Sequence, residues 1–392
     1  MPGYNLHNAP YGVEWRFVLA GAAIFTAGMV CRGLLSGERT PQIIRSPRSQ
    51  LLPKLSTKEK DELPYPPDAL PGARDVETPY GTIRAYEFGP EDGRKVLLVH
   101  GISTPCISLG AVANGLVDKG CRVLLFDLFG RGYSDTSNDV RQDIRLFTSQ
   151  ILLVLASSQL PWTGSTSFSI IGYSLGGGIA AAFTSYFPDL VSSLVLIAPS
   201  GLLRPHHISR KSRILYQYSD GIVPESILNN AVRRRLKSPI APTQNQPTTE
   251  KTTEQTVIQA EVSMESNSQA PLSKVHPDIT IQAAVAHQLD HHEGFVGAFM
   301  SSIRHGPIQN QHEYWRRIGQ RLSDRNRRSN QKPEKVLIIG GEHDAIIIMD
   351  ELKEDAAEVL QDNVQFQFIN AGHELPITKG EDIVKCIWDF WQ

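Results

Sequence analysis

Residues 168–183 read FSIIGYSLGGGIAAAF. The run FSIIGY has the length and composition of a buried strand, and GGGIAAAF opens a helix. Between them lies Gly172-Tyr173-Ser174-Leu175-Gly176. A strand that turns abruptly into a helix exposes the side chain at its turn, here the Ser174 hydroxyl. The turn is tight, so the positions two before and two after the serine must be small, and both are glycine. The helix start behind it supplies a free N–H and the positive end of a helix dipole. As a bare five-residue pattern this is a weak signal; its place between strand and helix gives it weight.

Outward from this turn, short apolar runs alternate with helical stretches. Strands are expected at 95–100 (KVLLVH), 122–127 (RVLLFD), 193–198 (SLVLIA), 335–340 (KVLIIG) and 364–370 (VQFQFIN), with a strand pair over 76–88 turning at 79–81. Helices are expected at 143–157 and 176–186. Continuous apolar strands alternating with helices indicate a mostly parallel sheet covered on both faces, an α/β fold. Between 198 and 335 the strands stop, and 208–218, 224–236, 279–303 and 312–322 have helical patterns. Within this interval, 240–275 is rich in Thr, Gln, Ser, Pro and Glu, with no glycine and no aromatic residue. Such a segment buries too little apolar surface to offset its ordering entropy, so it is expected as a disordered insertion in a helical cap. The organisation expected is an anchor segment at 1–35, a basic and Pro-rich linker at 36–75, a core formed by 76–200 and 334–392, and a cap at 201–333.

Serine is a poor nucleophile at neutral pH without a base, and the base needs an orienting acid. Asp344 in GGEHDAII follows the strand KVLIIG, and His373 in AGHELP follows VQFQFIN. Ser174, Asp344 and His373 thus occupy C-terminal ends of parallel strands, where open α/β sheets place their sites. Glu342 and Asp350 are the alternative acids. Acyl transfer also needs N–H donors aimed at an oxyanion. The amides of Ile102, in the HGIS run after the strand at 95–100, and of Leu175 are the expected pair. Ser103 is a candidate additional hydroxyl, and 127–134 (DLFGRGYS) a turn that buttresses the site.

Together, HG at 100–101, D-x-x-G-x-G-x-S at 127–134, GYSLG at 172–176, and Asp344 and His373 after the last two core strands resemble the α/β-hydrolase superfamily, over roughly residues 76–392. The resemblance implies the α/β-hydrolase fold with a helical cap after the sixth core strand. It also implies Ser174 as nucleophile, His373 as base, Asp344 as orienting acid, Ile102 and Leu175 as oxyanion amides, and no cofactor or metal. Within the superfamily the chain is similar to membrane-anchored lipid hydrolases of the monoacylglycerol-lipase kind, although the insertion at 240–275 departs from the compact caps expected there. The activity implied is hydrolysis of carboxylic esters of apolar acyl groups, monoacylglycerol or related lipid esters, through an acyl-serine at a membrane surface. Alternatives are a thioester, amide or carbon–carbon bond of a small metabolite, or a silent membrane adaptor that uses the fold as a platform.

Other features carry competing readings. Gln288-Leu289-Asp290-His291-His292-Glu293 has the look of a metal cluster, but adjacent helical residues diverge and no H-x-x-x-H pair closes on them, so a polar helix face is expected. His206-His207 is expected to face solvent, Arg233-Arg234-Arg235 to be a solvated patch or a lipid contact, and 294–300 (GFVGAFM) to be the apolar inner face of the cap.

The chain has 392 residues and a formal net charge of −2, which argues against a nucleic-acid partner. Four cysteines (Cys31, Cys106, Cys121, Cys386) form no disulfide framework. Phe17–Cys31 is free of charge between Arg16 and Arg32, and with its flanks is expected to act as a single-pass N-terminal anchor; a cleaved signal peptide or an ordinary helix are the alternatives. Seven basic residues against two acidic ones over 32–60 place the catalytic part on the cytosolic side under the positive-inside rule. Substrate head group, organelle and oligomeric state have no signature in the sequence.

Overall fold

Each apolar run finds its neighbour in one eight-stranded sheet. In the computed structural model, residues 15–35, 42–164, 166–204, 225–237, 268–330 and 332–392 are described. The strands are β1 (Ile43–Ile44), β2 (Ala73–Val76), β3 (Ile83–Phe88), β4 (Arg94–Val99), β5 (Cys121–Phe126), β6 (Thr136–Ser137), β7 (Phe168–Tyr173), β8 (Val191–Ile197), β9 (Val336–Gly341) and β10 (Val364–Ile369). The large sheet runs β10-β9-β8-β7-β4-β5-β3-β2. It is parallel from β10 to β5, while β3 and β2 add antiparallel at one edge. This is the α/β-hydrolase fold expected from the sequence.

The order has a consequence for function. From β4 the chain steps to β5 on one side, and then returns to β7 on the other and continues to β10. The connections leaving β4 and β7 therefore diverge, and the C-terminal ends of such a strand pair are where open α/β sheets bind ligands.

Helices cover both faces, as a parallel sheet requires. They include α1 (Trp15–Leu35), α2 (Pro47–Gln50), α3 (Thr57–Asp61), α4 (Gly110–Asp118), α5 (Ile144–Ala156), α6 (Leu175–Tyr186), α7 (Glu225–Lys237), α8 (Ile281–His291), α9 (Phe295–His305), α10 (His312–Arg328), α11 (Met349–Leu360), α12 (Leu375–Thr378) and α13 (Gly380–Trp391). One group joins α4 and α13; another runs α5–α6–α10–α11. Asp143 caps α5 by accepting from the Arg145 and Leu146 amides. After β8, the sixth strand of the large sheet, no strand occurs among the described residues until β9; α7, α8, α9 and α10 fill the interval.

The expected helix over 279–303 is two helices, α8 and α9, broken at His292–Gly294. Gly294 sits where a Cβ would lie 2.4 Å from Thr136 Cγ2, so the chain bends against β6. The expected helix at 208–218, His206-His207 and most of the expected insertion fall outside the described residues. Residues 268–275, at that insertion's end, are placed: Leu272 is buried and the Gln269 amide donates to Thr378 O at 3.1 Å.

Residues 43–76 lie within one unit with the sheet. β1 pairs antiparallel with β6, the Ser46 amide donates to Asp135 Oδ1 at 2.8 Å, and Arg45 pairs with Asp135 Oδ2 at 2.9 Å. Tyr65, Ala69 and Leu70, in the proline-rich stretch, are buried. A segment whose prolines donate no hydrogen bonds still packs by apolar contact, because it needs few backbone partners.

Residues 1–42 form a separate unit, of which α1 is the described helix. The anchor expectation is overturned here: among the described residues no helix is long and apolar enough to cross a membrane. α1 carries Arg16 and Arg32 within its own length, leaving fifteen charge-free residues between them. Those span about 22 Å at 1.5 Å per residue, against a hydrocarbon core of about 30 Å. The assignment of a single-pass anchor with a cytosolic catalytic part falls with it.

Candidate active site

Ser174 stands at the junction of β7 and α6 with φ 53° and ψ −118°. A positive φ on a side-chain-bearing residue costs about 1–3 kcal/mol and persists only where its surroundings over-determine it. Here they do. The Ser174 amide donates to Ile197 O of β8 at 3.0 Å, and its carbonyl accepts from the Ser200 and Gly177 amides at 2.9 Å. The flanking glycines are required by contact: a Cβ on Gly172 would meet Gly176 O at 2.2 Å, and one on Gly176 would meet Val99 O at 2.1 Å.

Ser174 Oγ lies 3.1 Å from His373 Nε2, and His373 Nδ1 lies 2.7 Å from Asp344 Oδ2. The carboxylate accepts at Nδ1, so that nitrogen carries the proton and Nε2 presents its lone pair to the hydroxyl. The other oxygen, Asp344 Oδ1, accepts from the Ile346 and Ile347 amides, each at 2.8 Å. Glu342 and Asp350, the alternative acids, are exposed. The β9–β10 pairing continues beyond both strands through Glu342 N to Ile369 O and His343 N to Ala371 O, at 2.9 and 3.0 Å. That zipper brings the two loops side by side. Tyr173 completes the frame: its hydroxyl donates to His373 O at 3.0 Å and its ring lies 5.4 Å from the imidazole. Nothing in the pentapeptide pattern marks Tyr173 for this task.

Of the expected oxyanion donors, Ile102 lies in the loop after β4 and Leu175 opens α6 directly after the serine. Among the described residues neither amide donates a hydrogen bond within the protein. The β4 loop has no regular structure until residue 106, so side chains hold it. His100 Nε2 accepts from the Leu128 amide at 2.8 Å, which leaves Nδ1 to donate to Gly101 O at 2.8 Å. Burial, and secondarily the charge of Arg131, depress the His100 pKa to about 3, so the ring stays neutral. Arg131, fully buried, donates through Nε to Ile102 O at 3.0 Å and through Nη2 to Ser302 Oγ at 2.8 Å. Ser103 is buried, and its carbonyl accepts from Gln288 Nε2 at 2.6 Å.

The 127–134 run is a buttress. Buried Asp127 accepts from the Cys106 amide at one oxygen and the Tyr133 amide at the other, both at 2.9 Å. Burial raises its pKa above the ordinary carboxylate value, partly offset by those amide bonds.

The 288–293 cluster divides. Asp290, His291 and Glu293 are exposed, whereas Gln288 and His292 are buried. His292 Nδ1 accepts from the Gly294 amide at 3.2 Å and Nε2 donates to Ser134 O at 2.8 Å; burial depresses its pKa to about 4. Arg233 donates to the carbonyls of His292 and Glu293 at 3.2 and 3.3 Å. Phe295, Val296, Ala298, Phe299 and Met300 are buried, as a packed apolar face.

A family model described as alpha/beta hydrolase fold matches residues 95–380. The chain belongs to the α/β-hydrolase fold family. The serine hydrolase-like protein of Danio rerio is 30% identical over 129 residues, which is 33% of this chain and 38% of that protein. A human serine hydrolase-like protein is 32% identical over 123 residues, 31% of this chain and 58% of that protein. The chain thus matches less than two thirds of the length of these relatives. Among solved structures, the enol-lactonase from Burkholderia xenovorans LB400 superposes with a TM-score of 0.55 at 14% identity, over 81% of this chain and 99% of that one. These likenesses establish the family and the fold; they do not reach the narrower monoacylglycerol-lipase kind.

Proposed function

We propose that this chain is a serine hydrolase that cleaves carboxylic esters of apolar acyl groups, monoacylglycerols or related lipid esters among them. The observation that carries the reading is the buried relay from Ser174 through His373 to Asp344, together with the Ile102 and Leu175 amides, which donate no hydrogen bond among the described residues. Ser174 Oγ attacks the ester carbonyl as His373 Nε2 takes its proton, and the Ile102 and Leu175 amides receive the oxyanion. The tetrahedral adduct collapses to acyl-Ser174, and His373 returns the proton to the departing alcohol. Water, deprotonated by the same imidazole, then attacks the acyl-enzyme, releases the acid and restores the Ser174 hydroxyl. Asp344 keeps the imidazole in its working tautomer and stabilises the imidazolium. The choice of an apolar acyl group rests on Leu175, the apolar residue that follows Ser174 directly, whose Cδ1 lies 3.2 Å from the Cβ position of Gly306.

The test is fluorophosphonate labelling of the full-length chain, with peptide mapping and Ser174→Ala as control, followed by turnover of a chain-length series of esters beside matched thioesters and amides. Labelling at Ser174 with preference for long-chain esters supports the proposal. Labelling with turnover of thioesters or amides alone moves the substrate class. A folded but unlabelled protein refutes the hydrolase reading.

A further inference from the structure

Gln288, in the 288–293 cluster, touches the proposed oxyanion loop directly. It lies on α8, far in sequence from every candidate catalytic residue, and is fully buried. A buried primary amide must satisfy both its donor and its acceptor, because an unmet one bears its full desolvation cost. Gln288 satisfies them on two loops that leave two different strands. Nε2 donates to Ser103 O of the β4 loop at 2.6 Å, and Oε1 accepts from the Gly132 amide of the β5 loop at 3.0 Å.

Those loops have little freedom beside Gln288. A Cβ on Gly132 would sit 2.1 Å from Asp127 Oδ2, so the β5 loop is pressed onto a buried carboxylate. The β4 loop, with no regular structure of its own, takes its shape from three side-chain donors in succession: His100 on Gly101 O, Arg131 on Ile102 O, and Gln288 on Ser103 O. Peptide planes are rigid, so pinning consecutive carbonyls fixes the direction of the amide between them. The Ile102 N–H lies in the first of these planes, and the two that follow set where its chain runs.

We propose that Gln288 is a positioning residue for catalysis: it bridges the β4 and β5 loops and so holds the Ile102 amide in the direction an oxyanion requires. This rests on the hydrolase reading above. The oxyanion exists only in the transition state, so a misdirected donor lowers turnover without weakening substrate binding.

The experiment compares wild type, Gln288→Met, which keeps the shape but neither hydrogen bond, and Gln288→Glu, whose carboxyl, kept neutral by burial, retains an acceptor toward Gly132 and a donor toward Ser103 and so serves as the conservative rescue. Active sites are titrated with fluorophosphonate, and kcat and KM are measured per titrated site on one model ester. Removing an oxyanion donor outright costs roughly 10²–10³ in kcat, so misdirecting one is expected to cost about 10–100-fold. KM is expected to stay within about twofold, the signature of a purely transition-state loss. An unchanged kcat per titrated site in folded Gln288→Met, even with a lowered thermal midpoint, overturns the proposal and leaves Gln288 as packing alone, as does a kcat in Gln288→Glu that falls as far as in Gln288→Met. A wild type that is folded but never labelled overturns the hydrolase reading itself, and the proposal with it.

Discussion

Ser174 Oγ and His373 Nε2 lie 3.1 Å apart although 199 residues separate them in the chain. They meet because β7 and β10 end at the same edge of a parallel sheet, with β8 and β9 between them, and because the β9–β10 pairing continues into both loops. The distance is within hydrogen-bond reach, and the consequences of the proposed relay can be tested one residue at a time.

Asp344→Asn retains the shape of the acid and removes its ability to select the Nδ1 proton. Its Oδ1 side is still met by the Ile346 and Ile347 amides. The amide NH₂ then faces His373 Nδ1, which forces the opposite tautomer and aims a proton at Ser174. Turnover is expected to fall by roughly 10⁴ with the unfolding curve little changed. Steady-state kinetics beside a denaturant titration checks this, and a loss under tenfold would point to Glu342 or Asp350 instead.

Gly176→Ala places a Cβ 2.1 Å from Val99 O and 2.6 Å from His100 O. Both are backbone atoms of the neighbouring strand end, so neither yields as a flexible side chain would. The expected destabilisation is at least about 3 kcal/mol, at the upper end of overpacking costs, with loss of labelling at Ser174. Urea midpoints measure the first and mass-mapped labelling the second.

Arg131→Lys tests whether charge or shape matters at a buried site. The guanidinium serves Ile102 O, Phe129 O and Ser302 Oγ from one planar fork. An ammonium matches that geometry at one point at most. The variant is expected to lose about 2–4 kcal/mol of stability and to turn over more slowly, and thermal unfolding with matched kinetics reads both.

His100 and His292 make stability pH-dependent. Burial holds their folded pKa values at about 3 and about 4, below the ordinary histidine value of about 6.5. As pH falls from 6.5 toward 4 the unfolded chain binds protons that the folded chain refuses, so stability drops over that window. The slope is about 1.4 kcal/mol per pH unit for each histidine. His292→Gln is expected to flatten it, read as the change in urea midpoint between pH 7 and pH 5.

Much of this architecture is legible in the sequence because it is local. Apolar runs of strand length and the helix-period stretches between them announce an α/β sheet, and GYSLG between a strand and a helix announces the elbow. The candidate acids are not separable that way. Glu342, Asp344 and Asp350 share one loop and helix start, and only the paired loops after β9 and β10 turn Asp344 inward and leave the other two in solvent. Residues 288–293 show the same limit. Their polar letters read as a solvated face, yet Gln288 and His292 are buried because the loops after β4 and β5 offer backbone partners.

The N-terminal stretch failed for a different reason. Its apolar composition is a local property, but spanning a bilayer is a question of length, and Arg16 and Arg32 lie within α1 itself. The sequence by itself determined the strand-and-helix alternation, the elbow and the residue types able to do acyl chemistry, since each follows from neighbours a few positions apart. The tertiary structure alone decided which carboxylate meets the imidazole, which side chains hold the loop after β4, and that residues 43–76 pack on the core. Those outcomes depend on strand order and on satisfying buried polar groups across long sequence separations, where no local pattern carries the information.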